Sequence, residues 1–146
     1  MSARVRLDFS RLNDADFRTR MRVIRDPSSL VGWVSPWYVD ADNEECDYRD
    51  KAVRPVEFVR SDGSTVPPPP SHAEEVARIA QSMTTGRSGP ILIGAYRPFG
   101  CNFVVVIDGN HRLRATLAHG GPMHVVALIL YGPNDPQILS DLHAHQ

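Results

Sequence analysis

Two apolar runs, VVVI at Val104–Ile107 and VVALIL at Val125–Leu130, constrain the fold more than any other feature of this chain. Short, β-branched runs bounded by Gly, Pro and Asn read as strands, and an unbroken apolar run implies cover on both faces. Between them lies DGNHRLRATLAHGG. It reads as an Asp108-Gly109 turn, a helix capped by Asn110, and a Gly120-Gly121 stop. Strand, helix, strand is therefore the expected nucleus.

The rest of the chain is read around that nucleus. Val5 to Phe9 alternates like a short strand, and Asn13 offers an N-cap for a helix carrying Phe17, Met21 and Ile24, ended by Asp26-Pro27. Leu30 to Tyr38 is broken by Gly32 and Pro36, so it reads as irregular structure packed on the core through Trp33 and Trp37. Val53 to Val59 reads as a strand, returned by the turn SDGS toward Val66 and followed by a stiff connector, Pro67–Pro70. Ser71 with Glu74 makes a capping box for a helix whose buried stripe is Val76, Ile79, Ala80 and Met83, closed by Gly86 and Gly89. Strands are expected at Ile91–Tyr96 and Phe103–Ile107, joined by the turn PFGCN, and a short last helix at Asp135–His143. This order points to a compact α+β or α/β domain.

Composition narrows the function classes. A chain of 146 residues suits one domain, residues 1–146, able to bury its own core. Its formal net charge of −1 disfavours a dedicated nucleic-acid binder, which usually carries a strong basic excess. No apolar run approaches the roughly 20 residues that span a bilayer, and MSARVRLDFSR has no signal-like core, so no membrane partner and a cytoplasmic location are expected. Two cysteines, Cys46 and Cys101, are too few for a disulfide framework and read as reduced thiols. The acidic stretch Asp40–Asp50 lacks the Gly and Glu registers of an EF-hand loop and reads as a solvated loop. Nothing in the sequence signals an oligomeric state.

The chemistry concentrates where strand meets helix. A helix N-terminus offers free N–H groups and a positive dipole end, and Gly109 lets an anion approach the main chain. His111, Arg112 and Arg114 crowd that same end, where each cation costs on the order of 0.3 to 1 kcal/mol unless an anion reverses the sign. A bound di- or triphosphate does so. Gly109, Asn110, Arg112 and Arg114 are thus the candidate nucleotide-binding residues, and Asp108, His111 and Arg112 the candidate catalytic ones, with Asp108 able to hold Mg²⁺ or orient His111. The competing reading is structural: Asp-Gly is a common turn, and an exposed Arg can lay its stem over apolar neighbours with no ligand present.

The run VVVIDGNHRLRATLAHGGPMHVVALIL resembles the signature of the ParB/sulfiredoxin superfamily, and the similarity extends back through Glu75–Met83 and Gly89–Ile93. The resemblance covers about half the chain. It implies an α+β domain with a small mixed sheet and helices packed on it, a family core at 53–133 and an N-terminal extension of unrecognised type at 1–52. Sulfiredoxins carry a nucleophilic Cys where this chain has Asn110, which argues against that reductase activity. Partition-type ParB proteins use a Glu-Arg-Arg form that Asn110-His111-Arg112 does not match. Closest in form are small free-serine kinases, with Asp-Gly-His-His-Arg. That likeness implies a kinase-like phosphotransferase that uses ATP or ADP with Mg²⁺ and a small-molecule hydroxyl acceptor, with Glu57 or Glu75 as candidate base. The alternatives are a non-catalytic nucleotide-binding switch and a DNA-associated, nuclease- or partition-type protein.

Overall fold

Val104, Val105 and Val106 are all buried, so the VVVI run does lie inside a sheet covered on both faces. The computed structural model describes residues 6–50, 52–84, 90–120 and 122–145. In chain order these form α1 (Phe9–Asn13), β1 (Arg18–Ile24), β2 (Trp33–Val39), β3 (Glu45–Cys46), β4 (Arg54–Glu57), α2 (Pro70–Thr84), β5 (Ile91–Pro98), β6 (Val104–Asp108), α3 (Asn110–His119) and β7 (Val125–Gly132), with 3-10 turns at Pro27–Leu30 and Ser140–His145.

The strands form one mixed, seven-stranded sheet in the order β1-β7-β5-β6-β2-β3, with β4 also on β2. Strands β7 and β5 run parallel, as do β6 and β2; the β1–β7, β5–β6, β2–β3 and β2–β4 pairs are antiparallel. Strands from both ends of the chain therefore share one sheet, a compact α+β architecture.

Side-chain alternation divides the core in two. On one face Trp33, Phe58, Ile93, Ala95, Val106, Ala127 and Ile129 pack under Leu113 of α3. On the other, Val34, Tyr96 and Val105 meet Leu7, Leu12 of α1, and Ile138, Leu139 and Leu142 of the C-terminal segment. A buried network ties that second layer down: Arg6 Nε and Nη2 donate to the two carboxylate oxygens of Asp141 at 2.9 and 2.6 Å, and the Tyr38 hydroxyl donates to Asp141 Oδ2 at 2.6 Å.

The central elements follow the sequence reading: the β5, β6, α3 and β7 spans, the Gly120 stop with φ 75°, and the Arg60–Ser64 turn, where the Arg60 N–H donates to the Ser64 carbonyl. Gly86, Gly89 and Gly121 lie outside the described residues.

Four expectations are corrected. The segment with Phe17, Met21 and Ile24 is strand β1, because pairing with β7 over Arg18–Ile24 outweighs a spacing that also fits a helix. Trp33–Val39 is strand β2; Pro36, lacking an N–H, sits beyond the Trp33–Val34 register with β6. Asn13 begins no helix but is the last residue of α1, which Asp8 caps by accepting from the Arg11 N–H, and among the described residues of the expected Val5–Phe9 strand only Leu7 bridges, to Leu139. The expected last helix is a 3-10 turn beginning at Ser140.

Candidate functional site

Strand β6 ends at Asp108, and Gly109 turns the chain into α3 with φ 89° and ψ 20°. Only glycine fits this bend. A Cβ there would lie 2.8 Å from Ile93 Cγ2 and 3.2 Å from the Leu92 carbonyl, in a left-handed conformation that already disfavours side chains. The first helical bond runs from the Leu113 N–H to the Gly109 carbonyl, and no side chain caps the helix. The N–H groups of Asn110, His111 and Arg112 thus have no helical acceptor.

Asn110 is not the cap. It is the first helical residue, buried, with Nδ2 donating to the Val106 carbonyl at 3.0 Å and Oδ1 buried without a partner. Its amide side chain fastens the helix start to β6. Arg112 behaves differently. Its side chain is 46% exposed, its Nη2 stands 3.8 Å from Asp108 Oδ2, and that nitrogen lies 3.2 Å from where a Gly109 Cβ would be. A guanidinium so placed overhangs the helix N-terminus on a loose ion pair. Asp108 itself is 74% exposed.

Arg114 is taken up by the protein. It is 2% exposed, with Nη1 donating to the Val66 carbonyl at 3.0 Å and Nη2 to Ser35 Oγ at 2.7 Å, the Val56 carbonyl at 3.1 Å and the Glu57 carbonyl at 2.9 Å. The guanidinium lies 4.2 Å over the Phe58 ring and 5.2 Å over Trp37. Burial pushes its pKa down to about 10, still cationic at neutral pH. Arg114 thus rivets α3 to β2, β4 and the Val66 segment, and presents no free terminal nitrogen to a phosphate.

His111 stands on the first turn and is joined to residues the sequence reading passed over. Its Nε2 lies 3.0 Å from His72 Nδ1, and His72 Nε2 lies 3.1 Å from Glu45 Oε2. Ser71 donates its hydroxyl to the other oxygen of Glu45. The Trp37 ring stacks on His72 at 3.8 Å with an interplanar angle of 6°, and sits 5.1 Å from His111. The result is a linear chain, carboxylate to imidazole to imidazole, clamped against an indole.

Its tautomers follow from the acceptors. A carboxylate requires a proton on His72 Nε2; His72 Nδ1 then accepts, and His111 Nε2–H donates. That leaves His111 Nδ1 as a lone pair. Burial first, then the neighbouring His72 and Arg114, hold the His111 pKa below the usual imidazole value, with Glu75 opposing. His111 is therefore neutral at pH 7 and able to accept a proton.

The other candidate bases are already engaged. Glu75 is paired with Arg78 at 2.6 Å, and Glu57 lies on β4 with its carbonyl on Arg114. Ser71 serves Glu45 rather than the capping box, since α2 begins at Pro70. Glu45 sits on β3 within the stretch read as a solvated loop; its pairing with β2 at Val39 is what carries it toward α2. No local signal linked Glu45, His72 and His111, which come from three elements far apart in sequence.

Among the described residues no group of three or more His, Cys, Asp or Glu is placed to hold a metal ion. The carboxylate beside the helix N-terminus is that of Asp108, an exposed oxygen donor of the kind a hard divalent cation takes. No described helix is long and apolar enough to cross a membrane. The chain matches no family model, no curated protein and no solved structure.

Proposed function

We propose that this protein is a phosphotransferase of ParB/sulfiredoxin-like type that moves a phosphoryl group from ATP or ADP to the hydroxyl of a small acceptor. The observation that carries this reading is the Glu45–His72–His111 chain ending beside an uncapped helix N-terminus. An anion cradle alone supports only binding; a neutral imidazole backed by a carboxylate, next to the cradle, adds a proton acceptor.

Each residue then has a task. The N–H groups at the start of α3 and the Arg112 guanidinium hold phosphate oxygens, and Gly109 supplies the left-handed bend from which the helix starts. Asp108 would hold Mg²⁺ through a carboxylate oxygen, and the ion would supply positive charge against that of the phosphates. His111 Nδ1 takes the proton of the acceptor hydroxyl as its oxygen forms a bond to the transferred phosphorus. The bond from that phosphorus to the bridging oxygen breaks, and the leaving nucleotide keeps the electron pair. His111 Nε2–H can pass its proton to His72 Nδ1, and His72 Nε2–H leans on Glu45.

Incubation with terminally labelled ATP or ADP, Mg²⁺ and a panel of small hydroxyl compounds tests this. Label should move to an acceptor, and more slowly in His111→Asn. Binding without transfer to any acceptor favours the switch reading, and absence of binding at millimolar nucleotide removes the proposal.

A further inference from the structure

Away from the site, strand β1 combines features that its own fold leaves unused. Among the described residues it is the outermost strand of the sheet, paired only with β7 over Arg18–Ile24. Its other edge carries unpaired N–H and C=O groups, a template for a further strand. Both faces of that edge are patterned.

On the face shared with Ile24 stand Arg18, Arg20 and Arg22, all exposed. Neighbours two apart on a strand are about 7 Å from each other. Among the described residues the Arg20 and Arg22 side chains make no ion pair or hydrogen bond, and the Arg18 guanidinium rests 5.9 Å from the Phe99 ring. The acids flanking the strand lie beyond its ends, and Asp26 is engaged in capping Ser28. On the opposite face Met21 and Val23 are 71% and 51% exposed. The register sets them beside Leu128 and Val126, and Val126 beside Leu92, with Leu92 and Leu128 themselves exposed. Where α1 and the C-terminal segment cover Tyr96 and Val105, nothing described covers the exposed Met21, Val23, Leu92 and Leu128.

A second β1 is a poor occupant. Antiparallel pairing centred on Met21 sets Arg20 against Arg22 of the copy, and parallel in-register pairing sets each Arg against itself; like charges directly opposite destabilise a sheet. An incoming strand that alternates acidic and apolar side chains matches both faces at once. We propose that β1 is a docking strand for an extended segment of another protein in which Asp or Glu alternates with apolar residues, added to the sheet as an eighth strand.

The experiment uses the full chain and a fluorescent peptide of about seven residues alternating Glu and Val, with a Lys/Val peptide as its charge mirror. Anisotropy should show binding of the Glu peptide, at least about tenfold weaker at 0.3 M salt than at about 0.05 M, and protection of β1 amides from hydrogen exchange. In R20E/R22E the preference should invert toward the Lys peptide, a gain that misfolding cannot imitate. Equal binding of both peptides by the native chain overturns the proposal. So does tighter binding of single-stranded DNA at the same arginines, or a dimer in sedimentation that Met21→Glu dissolves.

Discussion

Two imidazole nitrogens, Nδ1 of His72 and Nε2 of His111, face each other at 3.0 Å, so the pair shares a single proton in its stable form. Glu45 at 3.1 Å from His72 Nε2 decides which way that bond points. That direction leaves His111 Nδ1 as the basic nitrogen of the pair.

Removing each link in turn should therefore grade the effect on transfer. His111→Asn is expected to lower kcat by about 10²- to 10⁴-fold, the usual range for a positioned base. His72→Gln and Glu45→Gln should cost less, about 10-fold or more, and should shift the acid limb of the kcat profile while leaving nucleotide KM nearly unchanged. Steady-state kinetics across pH separates these from a fold defect, which would lower active fraction without moving the limb.

Stability should depend on pH through the same residue. The His111 pKa is depressed in the folded chain, by burial first, and His145 is depressed by burial as well. Below the ordinary value of about 6.5 the unfolded chain binds these protons before the folded one does. Stability is then fully present above that value and falls as the pH drops toward the folded pKa. Chemical denaturation between about pH 7.5 and 5 should show this decline, and His111→Asn should flatten it; an unchanged slope in the variant would show that His111 does not contribute.

The two arginines of α3 should separate cleanly. Arg114→Met strands three carbonyls and a hydroxyl that now accept from one buried guanidinium, and should destabilise by about 3 kcal/mol or more. Arg112→Ala removes only a 3.8 Å contact at a half-exposed site, so thermal stability should stay within about 0.5 kcal/mol while nucleotide affinity falls. Thermal melts with and without nucleotide measure both.

Gly109→Ala should cost about 1 to 3 kcal/mol, combining a left-handed backbone with a Cβ 2.8 Å from Ile93 Cγ2. In a double-mutant cycle with Ile93→Ala, which removes Cγ2, the pair should cost less than the sum of the single variants by the steric share alone, because the backbone strain persists. A Gly109→Ala cost that vanishes altogether in the Ile93→Ala background would place the whole effect in the contact.

The legible part of this fold was the part built from neighbours in sequence. β5, β6, α3 and β7 follow from apolar runs and Gly punctuation, and the turn at Gly109 from its dipeptide. β1 and β2 were not legible, because what makes them strands is pairing with partners distant in the chain, Val125–Tyr131 for one and Val104–Val105 for the other. The same holds for the site. Asp108, Gly109 and Arg112 announced themselves by spacing, whereas Glu45 and His72 reach His111 only once β3 and α2 have docked. Arg114 shows the converse: adjacent in sequence to the cradle, it points into the core because the helix turns it toward β2 and β4.

The sheet order also bears on how the chain could be divided. Strands β7, β5 and β6 form the middle, and the N-terminal strands β1 and β2 grip them from either side. A protease cut at the exposed Ser61–Ser64 turn would sever the backbone without releasing either piece, since each fragment would hold apolar edges that only the other completes. Two separately expressed halves should accordingly recombine on mixing, a clasp rather than a string of modules.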